Sequence, residues 1–316
     1  MEGKTVSSRM IKRSPLFLTF IVVFFVGSIM PSFFEKDVIE RTKIMTSIFP
    51  LMEFAKAVVG DRGDVDLLLP PGAEVHTWHP RPSDLVRLSA ADLFIYIGAD
   101  LEPWAEDILR SVKKPKLRIL EVCKELSLPT ASTSLNHGHR AVDPHVWLDF
   151  YNDQRIINGI TVILGEMDPS GVSLYKKNAV IYNKKLQDLD RIYTKYLGKC
   201  EQKTIILGGH AAFGYLAKRY NLRQVSLYGL SPDSKPSPSQ LIDIVELIKE
   251  NGIKAIYFEV RVSNELAEVI AKETGARTLV LNPGASLSKK QMDSGVSFLE
   301  IMRKNLENLK DGLSCQ

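Results

Sequence analysis

Residues 173–197, SLYKKNAVIYNKKLQDLDRIYTKYL, form the stretch of the chain that most constrains the fold. Apolar side chains recur there at roughly helical spacing, and neither glycine nor proline interrupts them. The recurring positions are Leu174, Ile181, Leu186, Leu189, Ile192, Tyr193 and Tyr196. Because the stretch is longer than a common globular helix, it predicts one long α-helix near the middle of the chain.

Strand-like and helix-like segments alternate on both sides of this stretch. Before it, we predict strands at 43–49, 65–69, 93–97 and 117–122, and helices at 51–59, 82–90, 102–112 and 152–166. After it, we predict strands at 204–207, 224–227, 255–259 and 277–281, with helices at 211–220, 239–250, 265–274 and one terminal helix from about Lys289. Such alternation indicates βαβ units and parallel sheets. The fold class predicted is α/β, with two lobes of similar build flanking the long helix.

The expected domain boundaries follow this alternation. An N-terminal α/β lobe covers 41–172, the linking helix covers 173–198, and a C-terminal α/β lobe covers 199–313. Residues 127–142 interrupt the first lobe with a polar segment that has no periodicity, so we predict a loop there.

The N-terminus, residues 1–35, has the composition of a targeting segment. Four basic residues precede an apolar run at 16–30, as in a secretory signal peptide. The uncharged run continues to Phe34, about the length that spans a bilayer, so an uncleaved anchor stays open. No cysteine follows the run closely, so we do not expect a lipid anchor. The expected location is the periplasm, or the outer face of the inner membrane if the segment is kept.

Composition excludes several classes of protein. A chain with 45% hydrophobic and 25% charged residues is not globally disordered. The net charge of +4 comes without a basic block interleaved with aromatics, so we expect no nucleic-acid partner. Cys123, Cys200 and Cys315 are too few for a zinc ribbon or a disulfide scaffold. One pair could be oxidised, and the sequence does not say which.

Three histidines occupy chemically similar places. His76 ends PPGAEVH at 70–76, His145 lies in DPHVWLD at 143–149, and His210 ends TIILGGH at 204–210. Two of them follow predicted strands, and ligands of parallel sheets bind beyond the carboxyl ends of strands. Three neutral imidazoles suit a tetrahedral zinc ion with one position left over. Taken singly, each histidine also fits a capping or buried polar role, since no local spacing pattern marks a site.

Several motifs, in order along the chain, resemble those of one family. They are PPGAEVH at 70–76, PRPSD at 80–84, DPHVWLD at 143–149, GHAAFGYL at 209–216, YFEV at 257–260 and LNP at 281–283. The chain resembles the metal-specific solute-binding proteins of bacterial ABC importers, the zinc and manganese receptors. The resemblance covers about residues 41–311.

This resemblance implies two Rossmann-like lobes joined by a rigid helix, with the metal ion in a cleft between them. It implies that His76, His145 and His210 are ligands. The third ligand separates the subgroups, since zinc proteins resemble this chain in having histidine there while manganese proteins usually have glutamate. The preference of Zn²⁺ for imidazole and of Mn²⁺ for carboxylate agrees with this division. The expected ligand is therefore Zn²⁺, with Mn²⁺ as the alternative.

The fourth coordination position departs from the family pattern. Many relatives have Asp or Glu shortly after the last strand, where this chain reads NPGAS at 282–286, with Ala285 at the aligned position. Either water completes the shell, or another carboxylate does. Glu259 and Glu74 are the candidates, and Glu259 has the alternative role of orienting neighbouring loops.

Four further residues have weaker assignments. His137 and His139 form either an auxiliary metal site or a solvated part of the loop, and His79 is expected at the edge of the cleft. Asp149 either hydrogen-bonds the second nitrogen of an imidazole or caps a helix.

The predicted function is capture of a divalent metal ion outside the cytoplasm and its delivery to an ABC-type metal permease in the inner membrane. We expect a monomer. The competing hypothesis is a secreted zinc hydrolase, because three histidines and a water also describe a catalytic zinc. Glu259 is the obvious candidate for its general base, and no nucleophile or oxyanion motif accompanies it. We therefore predict that the chain is not an enzyme.

Overall fold

The structure, a computed structural model, describes residues 41–112, 114–125, 132–133, 141–230, 236–259 and 265–316. The predicted N-terminal targeting segment lies outside these ranges, as do His137 and His139. Within these ranges no helix is both long and apolar enough to cross a membrane.

The first lobe is built on a parallel sheet of four strands in the order β2-β1-β3-β4. The strands are β1 (Thr42–Thr46), β2 (Gly63–Leu67), β3 (Leu93–Tyr96) and β4 (Arg118–Glu121). The helices are α1 (Phe49–Val59), α2 (Pro82–Ala90), α3 (Ala105–Ser111), α4 (Val122–Glu125) and α5 (Phe150–Met167). All four residues of β3 are buried, as expected for a central strand with both faces covered.

The second lobe repeats this plan, with four parallel strands in the order β10-β9-β7-β8. The strands are β7 (Thr204–Leu207), β8 (Arg223–Ser226), β9 (Ala255–Phe258) and β10 (Arg277–Val280). The helices are α7 (Gly214–Arg219), α8 (Pro238–Glu250), α9 (Glu265–Thr274), α10 (Lys289–Asp293) and α11 (Phe298–Gly312). The two sheets confirm the predicted α/β class with two Rossmann-like lobes.

The long helix α6 (Val172–Leu197) confirms the prediction made for residues 173–197, but its buried face differs from the predicted one. Ile181 and Ile192 are 49% and 42% exposed, although they belong to the apolar pattern. The buried positions are Tyr175, Ala179, Tyr182, Leu186, Leu189, Tyr193 and Leu197. This face packs against α1, α5 and α11, so three tyrosines, not the isoleucines, fill the space between the helices.

Three other segments differ from the sequence prediction. The terminal helix is divided into α10 and α11, because Gly295 adopts a φ of +68° and Ser297 then caps α11. The helix predicted at 211–220 is shorter, since α7 begins only at Gly214. The predicted loop at 127–142 contains two short antiparallel strands, β5 (Ser132–Thr133) and β6 (Ala141–Val142), and most of its remaining residues lie outside the described ranges.

A disulfide joins Cys200 to Cys315 and leaves Cys123 as a free thiol. The bond ties the end of the chain to the segment that follows α6. Sequence reasoning had left this pairing open, because nothing local to a cysteine records which distant segment lies beside it. The domain boundaries at 41–172, 173–198 and 199–313 stay predictions.

Candidate metal centre

His76 lies in the segment that leaves β2. Gly72 donates its backbone N–H to Leu287 of the second lobe at 2.9 Å, and it adopts a φ of +87° that favours glycine. A tight turn follows, in which Trp78 N–H donates to the carbonyl of Glu74 at 2.9 Å. The Glu74 side chain accepts from the His76 N–H at 3.3 Å. The segment is therefore held by a hydrogen bond to the second lobe and by hydrogen bonds within its own turn. The imidazole of His76 is directed into the protein.

His145 lies just before a short 3₁₀ turn, Val146–Leu148, that leads into α5. The Asp143 carboxylate accepts from the His145 backbone N–H at 3.0 Å and contacts Nδ1 of its ring at 2.8 Å. Both residues are essentially inaccessible to water. Trp147 donates its indole N–H to the carbonyl of Pro283 at 2.7 Å, so the turn is also fastened to the second lobe.

His210 follows β7 and the pair Gly208 and Gly209. A Cβ on Gly208 would lie 2.4 Å from Cβ of Ala267, and one on Gly209 would lie 2.7 Å from Glu259 Oε1. Gly208 therefore permits the close approach of α9 to the end of β7, and Gly209 permits that of Glu259, which follows β9. Nδ1 of His210 lies 2.7 Å from Glu259 Oε1, in an orientation that is outside the angles of a hydrogen bond.

The three imidazoles converge. Their ring centroids are 5.4 Å apart for His76 and His145, 5.5 Å for His76 and His210, and 5.0 Å for His145 and His210. One ring nitrogen of each lies within 4.8 Å of the others, and across the described ranges this is the one group of metal-ligating side chains so arranged. Nε2 of His145 and Nε2 of His210 are 3.1 Å apart.

Carboxylates beside the imidazoles explain which ring nitrogens keep a lone pair on the side where the rings converge. A carboxylate beside Nδ1 favours the tautomer with its proton there, so Nε2 keeps its lone pair. Asp143 acts in this way on His145, and Glu259 is placed to do so on His210. Two lone pairs 3.1 Å apart repel unless a cation or a proton lies between them. Nε2 of His76 is buried as well and has no hydrogen-bond partner.

Burial and the neighbouring charges divide the three pKa values. Burial, with His145 and His210 nearby, lowers the pKa of His76 to about 2. Burial also lowers the pKa of His145, against the opposing effect of Asp143. Burial has the largest single effect on His210 and lowers its pKa, but the carboxylates of Glu259, Glu74 and Asp143 together outweigh burial and raise the pKa. His76 and His145 are therefore neutral at pH 7, as metal ligands must be.

A small cavity adjoins this group. It has a volume of about 30 Å³, enough for about one water molecule. Its lining residues are Ala73, Glu74, Val75, Glu259, Asn282, Pro283, Ala285, Ser286 and Gln291. The loop at 282–286 supplies no carboxylate, and its Ala285 carbonyl accepts from the Phe49 N–H at 3.0 Å. Glu259 contacts Nδ1 of His210 and not the face where the three imidazoles meet.

Asp143 is the residue that sequence reasoning missed. Asp149 was one candidate for orienting an imidazole, but it caps α5, accepting from the Tyr151 N–H at 2.9 Å, and pairs with Arg219. An aspartate two residues before His145 can bind the backbone locally, which was the available signal. His79 is exposed and stands apart from the group of three.

Comparison with known proteins identifies the family. A profile of zinc-uptake complex component A, periplasmic, ZnuA, matches residues 44–312. The chain belongs to this family. The high-affinity zinc uptake system protein ZnuA of Bacillus subtilis is 39% identical over 282 residues, which is 87% of this chain and 88% of the relative. The predicted zinc-type family is confirmed.

A second relative, the zinc-binding protein AdcA of Streptococcus pyogenes, is 34% identical over 95% of this chain, which spans only 61% of AdcA. The solved Zn(II)-bound ZnuA-like domain of Streptococcus pneumoniae AdcA is similar with a TM-score of 0.74 and 34% identity, covering 86% of this chain and 99% of the domain. The metal-dependent lipoprotein YcdH of Bacillus subtilis has a TM-score of 0.73 and 40% identity, with the same two coverages.

The family is one of transport components, described as periplasmic. Membership therefore confirms the prediction that the chain is not an enzyme, and the hydrolase hypothesis is set aside. It also places the chain among extracytoplasmic, metal-binding components of uptake systems.

Proposed function

We propose that this chain captures Zn²⁺ outside the cytoplasm through His76, His145 and His210, in a cleft between the two lobes, and delivers it to an ABC permease. The observation that supports this most is the convergence of three imidazoles, two from the first lobe and one from the second, with their ligand atoms within 4.8 Å of one another. Neither lobe alone holds the complete set.

The chemistry of the donors favours zinc over manganese. Imidazole nitrogen suits Zn²⁺, whereas the harder Mn²⁺ prefers carboxylate oxygen. The loop at 282–286 offers no carboxylate, and Glu259 is engaged beside Nδ1 of His210. The relatives are named as zinc-uptake or zinc-binding proteins, and one was solved with Zn(II) bound.

In this proposal Asp143 and Glu259 orient the imidazoles, and the fourth position is left to water or to a carboxylate that moves in when metal binds. Glu259 remains the first candidate fourth ligand and Glu74 the second, since both line the cavity beside the imidazoles. A site completed by an exchangeable ligand suits a carrier that must release its ion.

The architecture is compatible with release of the ion by a local rearrangement. The buried face of α6 packs against helices on either side of it, which favours local rearrangement around the metal over a wide closure of the lobes. We propose that the carrier acts as a monomer, and that residues 1–35 direct it to the periplasm or hold it at the outer face of the inner membrane.

The test is elemental analysis of the purified protein with a competition titration of Zn²⁺ against Mn²⁺. We expect one zinc per chain and a preference for zinc. The variant with alanine at 76, 145 and 210 should lose stoichiometric zinc, while His79→Ala, which removes an exposed histidine from the same segment, should keep it. Tight stoichiometric zinc in the triple variant would place the site elsewhere. Uptake of radioactive zinc by cells that produce each variant tests delivery.

A further inference from the structure

We infer that Arg219 is a positioning residue for the zinc site, an assignment that rests on the proposed function. Arg219 is the last residue of α7. The hydrogen bonds and ion pairs that its guanidinium makes with the described residues are with carboxylates, and not with His145 or His210. Its role is to hold the turn that carries His145 against the helix that follows His210. We therefore expect this side chain to be one of the contacts that set the separation of the two imidazoles.

The guanidinium of Arg219 joins three helices. Its Nε and Nη2 donate to the two carboxylate oxygens of Asp190 in α6, at 2.8 and 2.7 Å. Its Nη1 lies 3.1 Å from Oδ1 of Asp149, the residue that caps α5. Tyr220 adds a hydrogen bond of 2.7 Å to Asp190. The planar fork of an arginine can satisfy both carboxylates at once, which an ammonium group cannot reproduce.

Asp149 is connected to His145 through one short turn. Leu148 N–H donates to the carbonyl of His145 at 3.2 Å, and Asp149 N–H donates to the carbonyl of Val146 at 3.4 Å. A displacement of Asp149 therefore moves the backbone of His145.

The other end of the connection leads to His210. Ala212 N–H donates to the carbonyl of His210 at 2.9 Å, and α7 begins two residues later. A Cβ on Gly214 would lie 2.6 Å from Asp143 Oδ2, so the start of α7 touches the support of His145 directly. These contacts connect His145 through Asp149, Arg219 and α7 to His210. The contact between Gly214 and Asp143 closes them into a ring. Binding constellations need placement within about 0.5 Å, which such a ring can provide.

A second cluster of the same chemistry supplies the control. Arg62 donates from Nε and Nη2 to Asp168 at 2.7 and 2.9 Å, and the hydroxyl of Tyr175 donates to Asp168 at 2.5 Å. This Arg–Asp–Tyr group matches that of Arg219, Asp190 and Tyr220. It lies outside the segments that carry the three histidines, and among the described residues the ion pair of Arg62 is with one carboxylate, that of Asp168.

The experiment compares Arg219→Lys with Arg62→Lys in the full chain. The readouts are Zn²⁺ affinity by chelator competition, the visible absorption of bound Co²⁺ and the Tm of the metal-free protein. We expect both substitutions to lower the Tm. Arg219→Lys alone should weaken Zn²⁺ binding about tenfold and alter the Co²⁺ spectrum. Asp149→Asn should act in the same direction but less, since asparagine caps a helix as well as aspartate.

An unchanged affinity and Co²⁺ spectrum in Arg219→Lys would overturn the inference, and so would equal changes in Arg62→Lys. If Arg219→Lys does not fold, Asp149→Asn decides between the same two outcomes. Absence of zinc binding in the unaltered protein would overturn the proposed function instead.

Discussion

The two lobes hold their histidines in different ways. In the first lobe, His145 is hydrogen-bonded to a carboxylate that is itself fully buried and also binds the backbone of His145. In the second lobe, His210 faces Glu259 without hydrogen-bond alignment, and Glu259 is 9% exposed and lines a cavity. The first pair is hydrogen-bonded and shielded from water, whereas the second borders a small cavity.

The same contrast appears in the pKa values. Burial lowers the pKa of His145 despite Asp143, whereas at His210 the carboxylates of Glu259, Glu74 and Asp143 together outweigh burial and raise the pKa. Burial and the surrounding charges therefore decide whether an imidazole beside a carboxylate stays neutral, as at His145, or takes up a proton more readily, as at His210. We expect the first lobe to hold the ion and the second to control its release.

The largest effect is expected from removing one of the three proposed ligands. His76→Ala, His145→Ala and His210→Ala should each weaken Zn²⁺ binding by more than the 10- to 100-fold that is typical for loss of an orienting partner. Competition titration against a zinc chelator measures this, with His79→Ala as the control. If one of the three variants binds zinc as tightly as the unaltered protein, that histidine is not a ligand.

The orienting carboxylates come next and test the contrast directly. Asp143→Asn should weaken Zn²⁺ binding about 10- to 100-fold, because it removes the charge that fixes the tautomer of His145. Glu259→Gln should weaken Zn²⁺ binding by about tenfold or less, since the contact of Glu259 with His210 is not aligned as a hydrogen bond. The same titration measures both, beside Asp107→Asn on an exposed face of α3. A larger loss of Zn²⁺ affinity in Glu259→Gln than in Asp143→Asn would mean that His210, and not His145, is the more firmly held imidazole.

Replacing His210 with a carboxylate should change selectivity more than affinity. His210→Glu should move the ratio of Mn²⁺ to Zn²⁺ binding toward Mn²⁺, because carboxylate suits the harder ion. Competition between the two metals measures the ratio. Equal or tighter Mn²⁺ binding by the unaltered protein would contradict the preference for zinc.

Acidification should act through His210 first. Its raised pKa means that a proton competes with zinc at a pH above the ordinary histidine value of about 6.5. As the pH falls through that pKa, zinc affinity should drop about tenfold per pH unit for one displaced proton. Titrations at successive pH values measure this slope. In Glu259→Gln the fall should begin at lower pH, and an unchanged profile there would show that Glu259 does not set it.

The smallest effect on zinc is expected from the disulfide. Replacing Cys200 and Cys315 with serine should lower the free energy of unfolding by up to about 5 kcal/mol, since the closed loop is long. Cys200 lies before β7 and His210 lies after its opposite end, so zinc affinity should stay the same. Denaturant unfolding and metal titration of the same sample separate the two results. A loss of zinc binding in the folded variant would mean that the disulfide also helps to position His210.

Most of the fold was predictable because its signals are local. The helix at 82–90 begins and ends where Pro82 and the apolar spacing placed it, and the strand at 204–207 has the predicted bounds. The buried face of α6 was predictable only in part: Leu186, Leu189 and Tyr193 belong to the predicted pattern, whereas Tyr175 and Tyr182 are buried because α1, α5 and α11 pack against this helix. The division between α10 and α11 depended on one glycine with positive φ.

The sequence by itself determined the family, the two α/β lobes and the three candidate histidines, because motifs and periodicity are recorded in neighbouring residues. Only the tertiary structure decided that Nε2 of His145 and Nε2 of His210 lie 3.1 Å apart, that Asp143 and not Asp149 orients a ring, and that Cys200 pairs with Cys315. Each of these depends on which distant segments pack together. Burial and neighbouring charge, which set the pKa of an imidazole, likewise exist only once the chain has folded.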